Sequence, residues 1–205
     1  MNRKKVLAIT KIGIFAGLST VLYFIKFPLP IFPSFLEIQF SILPAIIGGF
    51  SMGPLGGVLI VFVKFLMSLP FSKTAYVGDF ADLIIGGITV LVTSLVYHKY
   101  KTKKGGLIAL LWGSLAWIVA GVLANYFILV PAYLKLFFNG DLEGFLQLCR
   151  VVIKDINADN YMMKYIVYAV IPFNAIIAVV VSTVTFLVYK KISNFLHKLD
   201  EEKQE

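Results

Sequence analysis

From Leu107 to Phe138 the chain reads "LIALLWGSLAWIVAGVLANYFILVPAYLKLFF", with Lys135 as its one charge. About 20 apolar helical residues cross the ~30 Å hydrocarbon core of a bilayer, so a run this long belongs in a membrane. Tyr161–Tyr189 is built the same way, with Lys164 alone charged. Hydrophobic residues fill 59% of the 205 positions and charged ones 15%, whereas soluble domains sit nearer half and a quarter. The fold class expected is an all-α integral membrane protein, one membrane domain over residues 1–205.

Six transmembrane segments can be drawn: 6–25, 40–52, 55–69, 77–97, 107–138 and 161–189. The start, "MNRKKVLAITKIGIFAGLSTVLYFI", lacks a small-x-small cleavage site and reads as a retained first helix. Three of four alternate connections are rich in lysine, with four lysines between Lys99 and Lys104 and more from Lys190 onward. The connections on the other side carry Glu37, Asp141, Glu143, Asp155 and Asp159 beside a scattered Lys73, Arg150 and Lys154. Positive charge marks the cytoplasmic side, which places both termini there. The net charge of +8 is thereby explained by orientation, without a nucleic-acid partner. One cysteine, Cys149, leaves no disulfide framework or cysteine metal site.

The second and third segments are too short to span, and "GGFSMGPLGG" joins them as a tight turn. Two short helices leave a depression on the outer side. Just before them comes "FPLPIFPSFLEIQF", apolar yet carrying Pro28, Pro30 and Pro33, which no helix accommodates. Irregular backbone at membrane depth is tolerated where protein or a cavity covers it. The segment is therefore expected to fold inward as a Pro-rich loop over an outward-facing pocket.

Polar residues inside the spans point to that pocket, because ionisable groups there are costly. Asp79 and Asp82 open the fourth span, and Asp82, Gly86, Thr89 and Thr93 follow one helix face. Asp79 fits a helix cap as well as a ligand contact. Asn125 needs partners, from another helix or from a ligand. Tyr133 lies two turns on, where it also suits an interfacial anchor. Lys164 opens the last span, followed by Tyr168 and Asn174; a lysine at that rim also suits snorkelling. Lys64, in the third segment, is harder to place: an aspartate is one candidate partner, and the sequence does not show how it is satisfied. On the first helix Gly13, Ala16, Gly17 and Thr20 form a small-residue face, for a partner helix or for the chain's own bundle.

No GxxxxGK[ST] phosphate loop is present, so nucleotide hydrolysis would have to come from another subunit. No HExxH occurs, and His98 and His197 lie at the cytoplasmic edge. Neither a catalytic constellation nor a metal site is expected.

The short second and third segments, the small-residue face, and "LPAIIGGFSMGPLGGVL" together resemble the S-components of energy-coupling factor (ECF) vitamin transporters. Adding "LEIQFSILPAIIGGFSMGPLGG", "VGDFADLIIG" and "ANYF", the chain is most similar to the riboflavin-specific ones, along nearly its whole length. The resemblance implies a substrate-binding subunit of a bacterial cytoplasmic membrane, not an enzyme. It implies a transmembrane T-component and two ATPase subunits as partners, with Gly13 and Gly17 standing where the family's first helix carries contact alanines. Riboflavin would be the transported substrate, and no cofactor is implied. Its ring would take walls from Phe35, Phe40 and Tyr133, and its uracil-like edge Asn125, Lys164 and backbone around Leu36, Glu37, Gln39 and Phe40. The ribityl chain would take Asp79, Asp82 or Asn174, with Tyr168 nearby. An S-component for another vitamin such as thiamine, and a membrane enzyme using Asp79 and Asp82, are the alternatives.

Overall fold

The computed structural model of the chain describes residues 3–201, so the extreme ends of both termini fall outside the described residues. Helix α1 covers Arg3–Phe24, and a two-stranded hairpin follows, β1 (Lys26–Pro28) with β2 (Glu37–Gln39). Next come α2 (Ile42–Met52), α3 (Pro54–Ser68) and α4 (Val77–Lys99). A long helical stretch is then built from α5 (Lys103–Ala124), a π turn (Asn125–Leu129) and α6 (Val130–Leu136). After α7 (Leu142–Arg150) a second composite runs through α8 (Tyr161–Tyr165), a π turn (Ile166–Val170) and α9 (Ile171–Glu201).

Among the described residues, five helical stretches are long and apolar enough to cross a membrane. Their outward faces carry Leu7, Ile14, Val21, Leu111, Val119, Val179 and Leu187, all exposed. Apolar side chains on the outside of a folded chain require lipid as the solvent, and the protein is a multi-pass membrane protein. The third segment is longer than its sequence suggests. A 3-10 turn at Leu69–Phe71 carries it to 18 residues, so α2, at 11 residues, is the short one.

Helix α2 is the hub, packed against α1, α3, α4 and α9. It ends because Gly53 adopts φ +93°, a conformation that glycine reaches without a Cβ clash, and Pro54 restarts the chain at the first position of α3. The return is tight: a Cβ on Gly57 would stand 2.9 Å from the Gly49 Cα. Thr102 caps α5 by accepting the Gly105 N–H at 2.9 Å.

The proline-bearing segment is non-helical. Its ends pair antiparallel, Lys26 opposite Gln39 and Pro28 opposite Glu37. Its tip drives two rings into the bundle. Phe32 meets Phe173 edge-on at 5.3 Å, and Phe35 sits among Tyr133, Tyr165 and Phe145 at 5.8–6.2 Å.

Candidate functional site

A cavity of about 170 Å³ opens where the hairpin meets α4, α5 and α9. From the hairpin side come Tyr23, Lys26, Phe35, Leu36, Glu37 and Gln39; from α4 and the turn before it, Thr74, Asp79, Asp82 and Ile85. The two composite helices contribute Trp117, Asn125, Leu129, Tyr133, Phe173, Asn174 and Ile177.

The apolar wall holds two fixed amides. Asn125 donates an Nδ2 proton to the Gly121 carbonyl at 2.9 Å and accepts the Tyr165 hydroxyl at 3.1 Å. Asn174 repeats the scheme, donating to the Val170 carbonyl at 2.8 Å and accepting the Trp117 indole N–H at 3.0 Å. A side-chain amide carries two donor hydrogens and two acceptor lone pairs. Each asparagine is thus held in one orientation with one donor and one acceptor to spare. The two π turns belong to the same design. In each, an N–H reaches five residues back, Val130 to Asn125 and Ile171 to Ile166. Pro131 and Pro172 follow immediately, where an α register would clash. Wide turns of this kind recur at binding sites.

The polar wall is made of carboxylates under restraint. Asp79, in the first turn of α4, accepts the Tyr23 hydroxyl at 2.8 Å and the hydroxyls of Ser72 and Thr74. Ser72 also accepts the Tyr76 N–H at 3.0 Å, which holds Ala75 and Tyr76 at positive φ ahead of the helix. Asp82 forms an ion pair with Lys64, which is 1% exposed. Lys26 and Glu37 pair at 3.1 Å on the rim. Three carboxylates therefore face two ammonium groups. Among the described residues no cluster of His, Cys, Asp and Glu suits a metal ion.

Of the residues expected at a ligand, Leu36, Glu37, Gln39, Asp79, Asp82, Asn125, Tyr133 and Asn174 meet at this cavity. Phe40, Lys164 and Tyr168 do not. Phe40 packs against the core. Lys164 donates to the Asp155 carbonyl at 2.7 Å, and Tyr168 is exposed. Tyr23, Lys26 and Trp117 also line the cavity, without a local sequence signal. A tyrosine and a lysine at a span end read as interfacial anchors, and nothing local marks Trp117 as the partner of Asn174.

The small-residue face on α1 divides. Ala16 is 0% exposed and Thr20 is buried, its hydroxyl on the Ala16 carbonyl at 2.9 Å, so both belong to the chain's own bundle rather than to a partner surface. Gly13 and Gly17 look onto open space.

A family model described as ECF transporter, substrate-specific component, matches residues 7–189. The riboflavin transporter RibU of Staphylococcus aureus is 29% identical over 97% of this chain and 97% of its own. The riboflavin transporter FmnP of Bacillus subtilis is 26% identical over 95% of this chain and 96% of its own. A solved S component of a bacterial ECF transporter superposes with a TM-score of 0.71 at 26% identity, covering 94% of this chain and 98% of that one.

Proposed function

This chain belongs to the ECF transporter substrate-specific component family, and from that premise we propose that it captures riboflavin on the outer face of a bacterial cytoplasmic membrane. It is a transport component, not an enzyme, and riboflavin is its substrate rather than a cofactor. Release to the inside would be driven by a T-component and two ATPase subunits. Six crossings are assigned, counting α2, with both termini inside and the Pro-rich segment as the cover of the pocket.

The pair of restrained asparagines carries the ligand assignment. Riboflavin has a broad flat ring, one edge of which alternates donors and acceptors as uracil does. Asn125 and Asn174 offer that edge a matching donor and acceptor each, beside Phe35, Trp117, Tyr133 and Phe173. Asp79 and Asp82 stand across the cavity to meet ribityl hydroxyls. Gln39 and the backbone of the hairpin supply the remainder. Few oriented polar groups in an apolar wall are what small-molecule sites generally show. The deciding test is a fluorescence titration of the purified protein with riboflavin and, separately, thiamine. Quenching of flavin emission at stoichiometric protein is expected; binding of thiamine alone would move the protein to another vitamin.

A further inference from the structure

Four side chains close a ring beneath the hairpin. Gln39 donates to Asp82 Oδ1 at 3.1 Å, and Asp82 Oδ2 pairs with Lys64. Lys64 donates to Ser41 Oγ at 3.5 Å, and Ser41 donates to Gln39 Oε1 at 3.1 Å. The ring ties β2 and the entry of α2 to α3 and α4. We propose that Lys64 is a positioning residue which, through Asp82 and Gln39, fastens the hairpin over the cavity and so sets the rate at which ligand leaves.

Lys64 does not line the cavity, so it has no direct route to the ligand. Stability alone does not call for a charged pair at this position. A buried ion pair can often be replaced by an apolar pair of equal volume without loss, and a charge inside a span is costly. An apolar pair could not hold Gln39, however. By sharing Asp82 with Gln39, Lys64 keeps that side chain aimed at the strand. The cavity size makes the attachment matter. At about 170 Å³ it falls below the ~300–1,000 Å³ of ordinary ligand pockets, so a flavin-sized molecule needs one wall to give. The helical walls are packed into the bundle. The hairpin has three residues per strand and, among the described residues, no further strand beside it.

The kinetic test rests on the riboflavin reading and uses stopped-flow quenching with purified protein. Lys64→Met is expected to accelerate riboflavin release about tenfold or more while association changes less. In a Gln39→Leu background, where the strand is already unfastened, Lys64→Met should add little. Equal acceleration in both backgrounds, or none in either, overturns the proposal, because a merely structural lysine would cost the same with or without Gln39. Lys64→Met/Asp82→Leu removes both charges together and guards against misfolding; because Asp82 also faces the ligand, this variant is read only by hydrogen exchange. Hydrogen exchange at the amides of Ile38 and Gln39, measured without ligand, supplies a second readout. Faster exchange in Lys64→Met supports the fastening, and unchanged exchange refutes it. Failure of the parent to bind riboflavin would defeat the ligand assignment, and exchange alone then decides Lys64.

Discussion

Tyr165 donates its hydroxyl proton to the side-chain oxygen of Asn125 across 3.1 Å, from one composite helix to the other. The bond sits beside both π turns and fixes which way the amide faces. Trp117 and Asn174 make the reciprocal bond, so each of the two helices lends the other an aromatic donor. The cavity is therefore pre-oriented before any ligand arrives, and preorganisation lowers the ordering cost of binding.

Asn125→Ala removes the spare donor and acceptor offered to the ligand, and separately leaves the Tyr165 hydroxyl without its partner. Loss of a buried bond to the ligand costs about 1–3 kcal/mol, a tenfold to hundredfold weakening of riboflavin binding. Tyr165→Phe keeps the amide but frees it to turn, and should weaken binding by less than Asn125→Ala. Fluorescence titration of the two variants checks the order.

A second expectation concerns stability. Tyr23, in the last turn of α1, donates to Asp79, 4% exposed, at 2.8 Å. A hydrogen bond to a charged acceptor contributes about 1.5–3 kcal/mol. Tyr23→Phe should therefore lower the thermal midpoint of the detergent-solubilised protein, whereas Tyr126→Phe, on an exposed ring, should leave it unchanged.

What was legible in the sequence followed from local quantities. Uninterrupted apolar length declares a helical membrane protein, and a charge inside such a run declares a need for a partner. That Lys64 finds Asp82 rather than Asp79 depends on how α3 and α4 are rotated against each other, which no local pattern records. The same limit explains α1. Gly13, Ala16, Gly17 and Thr20 share one arc of helix surface at i+3 and i+4 spacing, and the edge of the bundle passes through that arc. Lys164 illustrates a third case: a lysine at the rim can reach inward or outward, and here it turns to the Asp155 carbonyl. The π turns left a faint trace, since Pro131 and Pro172 lie inside apolar runs that must continue past them.

The Gly57 contact is open to a direct check. An added methyl would press on Gly49 and Val90, and overpacking of this kind costs about 1–3 kcal/mol. Gly57→Ala should lower the thermal midpoint measurably. Gly87→Ala, inside α4 where nothing stands within 4 Å, should instead stabilise the protein slightly, by roughly 0.5–1 kcal/mol of helix propensity.

On the partner face, Gly13→Leu and Gly17→Leu add bulk where the chain itself has nothing within 4 Å. Riboflavin binding by the purified variants should match the parent. Uptake by cells that supply the T-component and ATPases should be lost, because a neighbouring helix can no longer approach closely. Loss of binding in the purified variants would instead place this face within the chain's own bundle.

Orientation can be read with thiol chemistry, because the native cysteine is silent. Cys149 in α7 is 0% exposed, and burial pushes its thiol up to about 12. The thiolate is the reactive species, so at pH 7–8 the folded protein should hold Cys149 as inert thiol. Reactivity should appear on unfolding, when the value returns to the ordinary ~8.5. Against that background, an impermeant maleimide applied to intact cells should label Asp141→Cys, on the face of the cavity. Lys101→Cys, in the lysine-rich connection, should be labelled only after the membrane is opened. The reverse pattern would put the cavity on the cytoplasmic face and exclude capture from outside.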